Sequence, residues 1–516
     1  MGKSRLKWPW MGLGLAQVLV LAVSAAEASS ASGPGRESCP ATCQIEAVRR
    51  TLPTLSPGNC ASVLGKESAE IHAHVLSFEE LRTPESSLQN LAEDVMALKL
   101  QARSELKRLV SEDPRLSEAC VDAFRVLLQE IRSVDEYFVR WNLKRVEHLL
   151  PPAYGLLSNR FPEFVPAPGH ESFRRETDLK SGDLLMSRGP VFTSATIARM
   201  GDVPGQFSHI ALVYVDPATH QAWVVESHIE VGVAARKIEE YFNDDNIRVV
   251  VLRANDPSIP ADVPARAAEL MFRRVKAAQD TDNAIPYNFS LDLAKEDELF
   301  CSQVAYVAYR DASQGKVLLP LFQSSFAPKN RAFFDRMDIS VRRSFVPNDM
   351  EVDPRFEVIA EWRNLSRIEE SRSLDAVMDA FFRWSNDLDY ELIGSLKSFF
   401  IRWFIHDLRR WPIFNDVLGL KGRFPLNMTR DVLATIVLLD SVSEDLGKEL
   451  SERNEEALSM RQFPLSSAEM TQALDRFREN DYERFRDYEA WSWKNSPRKG
   501  VSPPPPPFPH FHYRFR

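Results

Sequence analysis

The sequence predicts an α+β fold in which a central segment of strands and helices lies between two helical regions. Apolar residues recur every three or four positions over 91–109 and 120–150, and again over 374–384, 392–408 and 428–446. This spacing is typical of amphipathic helices. The part of the chain between these two groups contains short runs rich in Val and Ile. Strands grouped together with helices before and after indicate an α+β layer architecture.

The N-terminal 28 residues have the pattern of a secretory signal peptide. The basic residues Lys3, Arg5 and Lys7 come first, an apolar run over 11–23 follows, and an Ala-x-Ala cleavage motif ends at Ala28. The apolar run is short for a membrane span, which favours cleavage over an uncleaved anchor. We therefore expect an exported protein, either periplasmic or secreted.

Four regions are predicted after the signal peptide. A helical region covers 38–165, a mixed region 170–345, a second helical region 350–495, and a proline-rich tail 496–516. The tail contains five consecutive prolines, so we expect it to be disordered or polyproline-like.

The mixed region begins with a short strand and alternates strands with helices. A short turn separates the second and third strands, so these two should pair antiparallel. The predicted elements are a strand over 183–186, a helix over 191–200, strands over 207–215, 222–227 and 248–253, a helix over 264–278, and a helix that starts near residue 301.

Cys301 lies at the start of the last of these helices. Val304, Val307 and Ala308 follow it at helical spacing, which places the thiol in the first turn. Unpaired backbone N–H groups and the positive end of the helix dipole favour the thiolate there, which is the nucleophilic form. The alternative for a single cysteine is a small buried hydrophobic residue.

A histidine and a glutamate provide the other groups that thiol catalysis needs. His209 stands at the entry of one predicted strand, and Glu226 lies near the end of the next, so both can occupy one face of the sheet. A nucleophilic thiol needs an imidazole beside it, and the imidazole needs an acceptor that fixes its orientation. Cys301, His209 and Glu226 are therefore the predicted catalytic residues. His228 is a rival base close to Glu226.

The remaining cysteines fall in the first helical region. In an oxidising compartment Cys39, Cys43, Cys60 and Cys120 can close two disulfides, which leaves Cys301 unpaired. A metal site on Cys39 and Cys43 is disfavoured, because no paired Cys or His motif follows them.

Five short motifs occur in a fixed order over about 175–315. They are Gly182-Asp183-Leu184-Leu185, Ser208-His209-Ile210-Ala211-Leu212-Val213, Val225-Glu226-Ser227, Pro286-Tyr287-Asn288-Phe289 and Phe300-Cys301-Ser302-Gln303. Together they resemble the permuted NlpC-type papain-fold cysteine hydrolases, specifically the YiiX-like group, which are distant relatives of lecithin–retinol acyltransferase.

This resemblance implies a permuted papain-like domain, with an antiparallel sheet and a nucleophile helix in which the histidine strand precedes the cysteine. It also implies that Tyr287 lines the site and helps to hold an oxyanion; the alternative is a tyrosine that only packs this loop against the domain. Ser208 and Ser302 are further substrate or oxyanion candidates. Asn288 and Gln303 depart from the family, whose members often carry Asp and Glu at these positions.

The expected function is cleavage of an amide or ester bond through an acyl-thioester, by hydrolysis or by acyl transfer. The resemblance allows cell-wall peptides or lipids as the acyl substrate. A catalytically silent envelope scaffold is the alternative. The aromatic group Phe399, Phe400, Trp403 and Phe404 is expected to form core, but it could instead line an acyl-chain groove or contact a membrane surface.

Composition excludes several other classes of function. The net charge is −9, and no basic patch is interleaved with aromatics, so nucleic acid is not an expected partner. No phosphate loop, dinucleotide fingerprint or His-Glu-x-x-His motif occurs. We therefore expect neither a cofactor nor a metal.

Overall fold

The computed structural model describes residues 41–73, 85–146, 163–281, 283–326, 331–364, 367–394, 425–461, 463–495 and 503–516. The predicted signal peptide 1–28, Cys39 and the aromatic group at 399–404 lie outside the described residues. Within the described ranges, none of the helices combines the length and the apolar character that crossing a bilayer requires.

The first part of the chain is helical, as its periodicity predicts. Its helices are α1 (Ala41–Thr51), α2 (Cys60–Ala73), α3 (Glu85–Glu112) and α4 (Glu118–Val146). A disulfide joins Cys60 at the start of α2 to Cys120 in α4, across 60 residues of sequence. Cys43 is also disulfide-bonded. These helices share a core that includes Leu64, Leu106 and Phe124.

The central region is built on a seven-stranded antiparallel sheet, which confirms the predicted α+β class. The strand order is β1-β9-β6-β2-β3-β4-β5. Its strands are β1 (Glu163–Pro166), β2 (Leu184–Arg188), β3 (His209–Val215), β4 (Ala222–His228), β5 (Gly232–Lys237), β6 (Arg248–Ala254) and β9 (Phe356–Arg363). A two-stranded ribbon pairs β7 (Ser324–Ser325) with β8 (Arg343–Ser344).

The helices of this region are α5 (Phe192–Arg199), α6 (Ile238–Asn243), α7 (Val263–Asp280), α8 (Cys301–Ala312) and α9 (Arg331–Arg336). Residues of α7 and α8 pack on one face of the sheet together with Met186, Ile210 and Leu212. The other face packs Leu185 and Ala211 against α6. The sheet is covered on both sides, which explains why every residue of β2 is buried.

The predicted boundaries 170–345 of this region are too narrow. β9 pairs with β6 along its whole length, and β1 pairs with β9 from outside. Both strands therefore belong to the sheet, although residues 163–165 of β1 fall in the predicted helical region 38–165, and β9 falls in the predicted helical region 350–495.

The described residues after 367 form three long helices, α10 (Ile368–Leu388), α11 (Arg430–Arg461) and α12 (Ser467–Lys494). Their apolar faces do not close a separate core. Met378, Leu439 and Leu474 lie in one cluster with Tyr287 and Phe300 of the central region.

The expectation of a disordered tail over 496–516 is wrong for residues 503–516. Phe511 and Phe515 are fully buried. Phe511 stacks on Trp384, and Phe515 stacks on Phe381, both on α10. Composition favoured disorder, but the aromatic residues that follow the prolines have a buried place in the tertiary structure.

Ion pairs connect the first helical region to the sheet. Lys99 on α3 lies 2.7 Å from Glu361 on β9, and both side chains are almost fully buried. Asp135 on α4 pairs with Arg363 in the same strand. The helices of the first region therefore pack directly on the sheet.

Candidate active site

Helix α8 begins at the cysteine that the sequence singled out. Phe300 is extended before it, with φ −87° and ψ 170°, and its N–H donates to Gln303 Oε1 at 3.2 Å. Cys301 is thus the first helical residue, where the backbone N–H has no partner within the helix. Cys301 carries the free thiol among the described cysteines, and its Sγ lies 3.9 Å from the carbonyl oxygen of Ser208.

The neighbour of Ser208 is the predicted base. The His209 imidazole faces both catalytic partners, because the Cys301 thiol interacts with it electrostatically and Glu226 is hydrogen-bonded to it. Its Nε2 lies 2.7 Å from Glu226 Oε2, so Nδ1 is the ring nitrogen left for the thiol. The structure therefore brings Cys301, His209 and Glu226 together in the order that the sequence analysis assigned to them.

Glu226 holds more partners than the sequence suggested. Its side chain is fully buried, and its second oxygen, Oε1, accepts from Arg236 Nε at 2.7 Å. His228 Nε2 lies 3.2 Å from the same oxygen, and the His228 ring stacks on His209 with 5.1 Å between ring centroids. Arg236 also pairs with Asp244 at 2.6 Å. The carboxylate is thus shared by two imidazoles and a guanidinium.

Sheet register explains the position of Arg236. Glu226 on β4 lies opposite Ala234 on β5, and Arg236 stands two residues further along the same face. Diagonal neighbours of this kind are within reach of a long side chain. The sequence predicts no strand over 232–237, so Arg236 is not among the predicted site residues. Val233, Ala234 and Ala235 are followed by two basic residues, and this stretch has no apolar–polar alternation that would indicate a strand.

These contacts shift the protonation of the catalytic candidates. Burial lowers the pKa of His209, but its hydrogen bonds to Cys301 and Glu226 outweigh burial and raise the pKa to about 10. Burial raises the pKa of Glu226, yet the hydrogen bonds from His209 and His228 hold it well below its usual range. At neutral pH the pair is therefore an imidazolium beside a carboxylate, with the thiol on the other side of the ring.

The three further candidates are placed differently. Tyr287 lies in the cleft that Cys301 also lines. Burial and the nearby Cys301 raise its pKa well above the usual range, so its hydroxyl stays protonated and able to donate. The Ser302 hydroxyl donates to the carbonyl of Phe345 at 2.6 Å. The Ser208 hydroxyl is hydrogen-bonded to Ser194 at 2.5 Å. Both serine hydroxyls therefore form hydrogen bonds that stabilise the surroundings of the site.

The two departures from the family contact each other. Asn288 Nδ2 donates to Gln303 Oε1 at 3.0 Å and to the carbonyl of Asp292 at 2.9 Å. Gln303 Nε2 donates to the carbonyl of Lys295 at 2.7 Å. Two buried amides therefore fasten the loop that carries Tyr287 to the first turn of α8.

A second anchor fixes the other end of this loop. The N–H of Val233 donates to the carbonyl of Ile285 at 2.8 Å. The preceding Gly232 has φ +74°, and a Cβ there would stand 2.2 Å from the same carbonyl oxygen. Only glycine allows this close approach.

A cleft with a cavity volume of about 60 Å³ opens beside the thiol, and most of its walls are apolar. Asp440 is the charged member of the lining. The lining residues are Phe192, Thr193, Thr196, Ile197, Met200, Ile229, Tyr287, Phe289, Leu291, Phe300, Cys301, Ser302, Phe333, Met337, Ile339, Phe345, Val346, Pro347, Ile436, Leu439 and Asp440.

His209, Glu226 and His228 have ligand atoms within 4.8 Å of one another, a spacing that could hold a metal ion. The guanidinium of Arg236 already contacts the Glu226 carboxylate and supplies positive charge there. A cation would have to displace it, so the donor set fits a hydrogen-bond relay better than a metal centre.

A thiol at a helix start, reached by a histidine from an antiparallel sheet that precedes it in sequence, defines the permuted papain-like class. Residues 178–360 match the family model described as permuted papain-like amidase enzyme, YaeF/YiiX, C92 family. The resemblance to the YiiX-like group is confirmed over this segment, about a third of the chain. It supports a cysteine hydrolase of the amidase type. Comparisons with curated proteins and with solved structures gave no match.

Proposed function

We propose that the chain is a cysteine hydrolase that cleaves an amide or ester with an apolar acyl group, with Cys301 as nucleophile, His209 as acid and base, and Glu226 as the group that orients the imidazole. The observation that carries this proposal is one imidazole that lies 2.7 Å from Glu226 Oε2 and interacts electrostatically with the Cys301 thiol.

The steps follow from this geometry. His209 holds the thiol proton as an imidazolium, and the thiolate of Cys301 attacks the carbonyl carbon of the substrate. The negative charge that forms on the carbonyl oxygen is met by the Cys301 backbone N–H and by the Tyr287 hydroxyl. The C–N or C–O bond breaks, and the leaving group takes the proton from His209. Water, deprotonated by His209, then hydrolyses the thioester and releases the acid.

The walls of the cleft favour a lipid acyl group over a cell-wall peptide. Phe192, Phe289, Leu291 and Leu439 offer apolar surface close to the thiol. A peptide of the wall would place polar groups against these walls without hydrogen-bond partners, which is unfavourable.

The proposal includes export, as the N-terminal sequence pattern suggests. The Cys60–Cys120 disulfide supports an oxidising compartment. An apolar acyl substrate resides in membranes, so peripheral contact with a bilayer belongs to the proposal. Cell fractionation together with sequencing of the mature N-terminus tests it; a cytosolic chain that retains Met1 would refute export.

The decisive experiment compares wild type with Cys301→Ala and His209→Ala. Iodoacetamide should label Cys301 rapidly near neutral pH, and His209→Ala should slow labelling by about 10²–10⁴-fold. Mass spectrometry should show that an acyl amide or ester disappears from lipid extracts incubated with wild type. The same lipid should persist in extracts incubated with Cys301→Ala. A product esterified to a second acceptor would indicate transfer rather than hydrolysis.

His170→Ala is the matched control, because His170 pairs with Glu357 rather than with the catalytic carboxylate. It should label at the wild-type rate. Labelling of wild type that is slow and requires denaturant would refute the enzyme and favour the envelope scaffold.

A further inference from the structure

We propose that helix α11 forms the wall of the cleft that limits the length of the acyl chain. Ile436 and Leu439 are the residues that set the accepted chain length. This inference rests on the proposed function, because it assigns the specificity of the same cleft. It concerns a part of the chain that lies outside the segment shared with the amidase family, which ends at residue 360.

The lining of the cleft comes from two parts of the chain. Most lining residues lie between 192 and 347, whereas Ile436, Leu439 and Asp440 come from α11. Positions 436, 439 and 440 share one face of a helix. Leu439 is 4% exposed and belongs to the apolar cluster that contains Tyr287 and Phe300. The family domain by itself would therefore lack one side of this cleft.

The start of α11 is tied directly to the catalytic region. Asn427 Nδ2 donates to the carbonyl of Tyr287 at 2.8 Å, on the loop before the nucleophile. Thr429 Oγ1 donates to Asp338 at 2.7 Å. The first bond holds the N-terminal end of the helix against the loop that carries the oxyanion candidate Tyr287, and the second holds it against the segment that follows α9.

The middle of α11 is held by a shared methionine. The hydroxyls of Ser443 on α11 and Thr196 on α5 each lie 3.7 Å from Met378 Sδ. Gly447 comes close to Phe192, since a Cβ at Gly447 would stand 3.5 Å from Phe192 Cζ. The wall is thus fixed on both sides of Ile436 and Leu439, so a change in side-chain volume there changes the length of the cleft.

An apolar chain that fills this cleft should gain affinity with each methylene until it meets the wall. Burial of one methylene corresponds to about a fourfold gain in affinity. Beyond the limit of the cleft the gain should stop, because further methylenes remain in water.

The test uses iodoacetamide and its N-alkyl derivatives with chains of increasing length, all of which alkylate the same thiol. For each protein the rate of every alkyl reagent is divided by its own iodoacetamide rate. In wild type this ratio should rise by about fourfold per methylene and then level off. Leu439→Trp should move the plateau to shorter chains by several carbons, and Leu439→Ala should move it to longer ones.

Met460→Trp is the matched control, since Met460 lies on the same helix, is 79% exposed and does not line the cleft. It should keep the wild-type plateau. If Leu439→Trp fails to fold by circular dichroism, Ile436→Phe decides the matter, because Ile436 is only partly buried. A plateau that Ile436→Phe does not shorten would overturn the proposal.

The two proposals fail in different ways. Rapid labelling by iodoacetamide with no dependence on chain length would leave Cys301 as the nucleophile and overturn the role of α11. Slow labelling of native wild type by every reagent would reject the enzyme itself. A plateau that shifts equally in Met460→Trp and Leu439→Trp would also overturn the role of α11.

Discussion

At the residue scale, the buried carboxylate of Glu226 organises the site. It accepts from His209 through one oxygen and from Arg236 and His228 through the other. An ionised carboxylate is expensive to bury unless it is paired and hydrogen-bonded. These partners meet that requirement, and in return Glu226 keeps the proton on His209.

Glu226→Gln should narrow the pH range of activity from its alkaline side. The imidazolium of His209 is present below its raised pKa of about 10 and is lost above it. An amide removes the negative charge that favours the imidazolium, so the alkaline limb should move to lower pH and the rate at pH 8 should fall at least tenfold.

The measurement is kcat/KM, or the Cys301 labelling rate, from pH 6 to 11. Glu240→Gln serves as the control, because Glu240 is an exposed carboxylate on α6 that does not line the cleft. An unchanged alkaline limb in Glu226→Gln would show that the carboxylate does not govern His209.

The three catalytic candidates could be selected from sequence because a helix start and two strands joined by a short turn have recognisable local patterns. Arg236 could not, since its contact with Glu226 depends on the register of a third strand. The pairing of Asn288 with Gln303 was equally hidden. Each was noted as a departure from the family, but nothing in the sequence places the two amides 3.0 Å apart.

At the scale of elements, the C-terminal segment 503–516 depends on one carboxylate of α12. Asp481 accepts the backbone N–H groups of Phe511 and His512 at 3.0 and 3.1 Å, and also that of His510. Its Oδ2 lies 2.9 Å from His512 Nδ1. This single buried side chain therefore positions the segment that places Phe511 and Phe515 against α10.

Asp481→Ala should release this segment. Several backbone donors would lose their acceptor in a buried setting, so we expect the free energy of unfolding to fall by about 3 kcal/mol. Urea unfolding measures this change, and hydrogen exchange should show faster exchange at residues 510–512. The exposed Glu483 on the same helix provides the control, and Glu483→Gln should stay within about 0.5 kcal/mol of wild type. Equal stability of Asp481→Ala and wild type would contradict this role.

At the scale of the whole molecule, buried ion pairs join regions that the sequence predicts to be separate. Burial raises the pKa of Glu361, but Lys99 and Arg132 lower it to about 2. Burial also raises the pKa of Asp375, but Arg199 and Arg188 lower it to about 2. Amphipathic periodicity showed that the helices have buried faces, but it could not show that those faces pack on the sheet.

These carboxylates predict a loss of stability in acid. Their pKa values in the folded state lie below the usual 4.5 and 3.8, so their contribution is fully present above about pH 4.5 and is lost as the pH falls towards 2. Urea unfolding at pH 7, 4 and 3 should show a steep decline below pH 4.5.

Glu361→Gln should reduce the steepness of that decline, because one of the titrating groups is gone, although the variant is less stable at pH 7. Glu357→Gln on the same strand is the control, since Glu357 is partly exposed. A decline of equal steepness in wild type and Glu361→Gln would contradict the assignment.

The placement of β1 and β9 has a practical consequence for subcloning. A truncated version that keeps only residues 178–360 would start after β1 and stop inside β9, which removes Trp362 and Arg363 from their pairing with β6. It would also lack Lys99 and Asp135, which form ion pairs with β9. The apolar side of the cleft that Leu439 covers would be exposed to solvent. Such a fragment should aggregate. The chain chosen for recombinant expression should therefore begin before α1 and extend through residue 516.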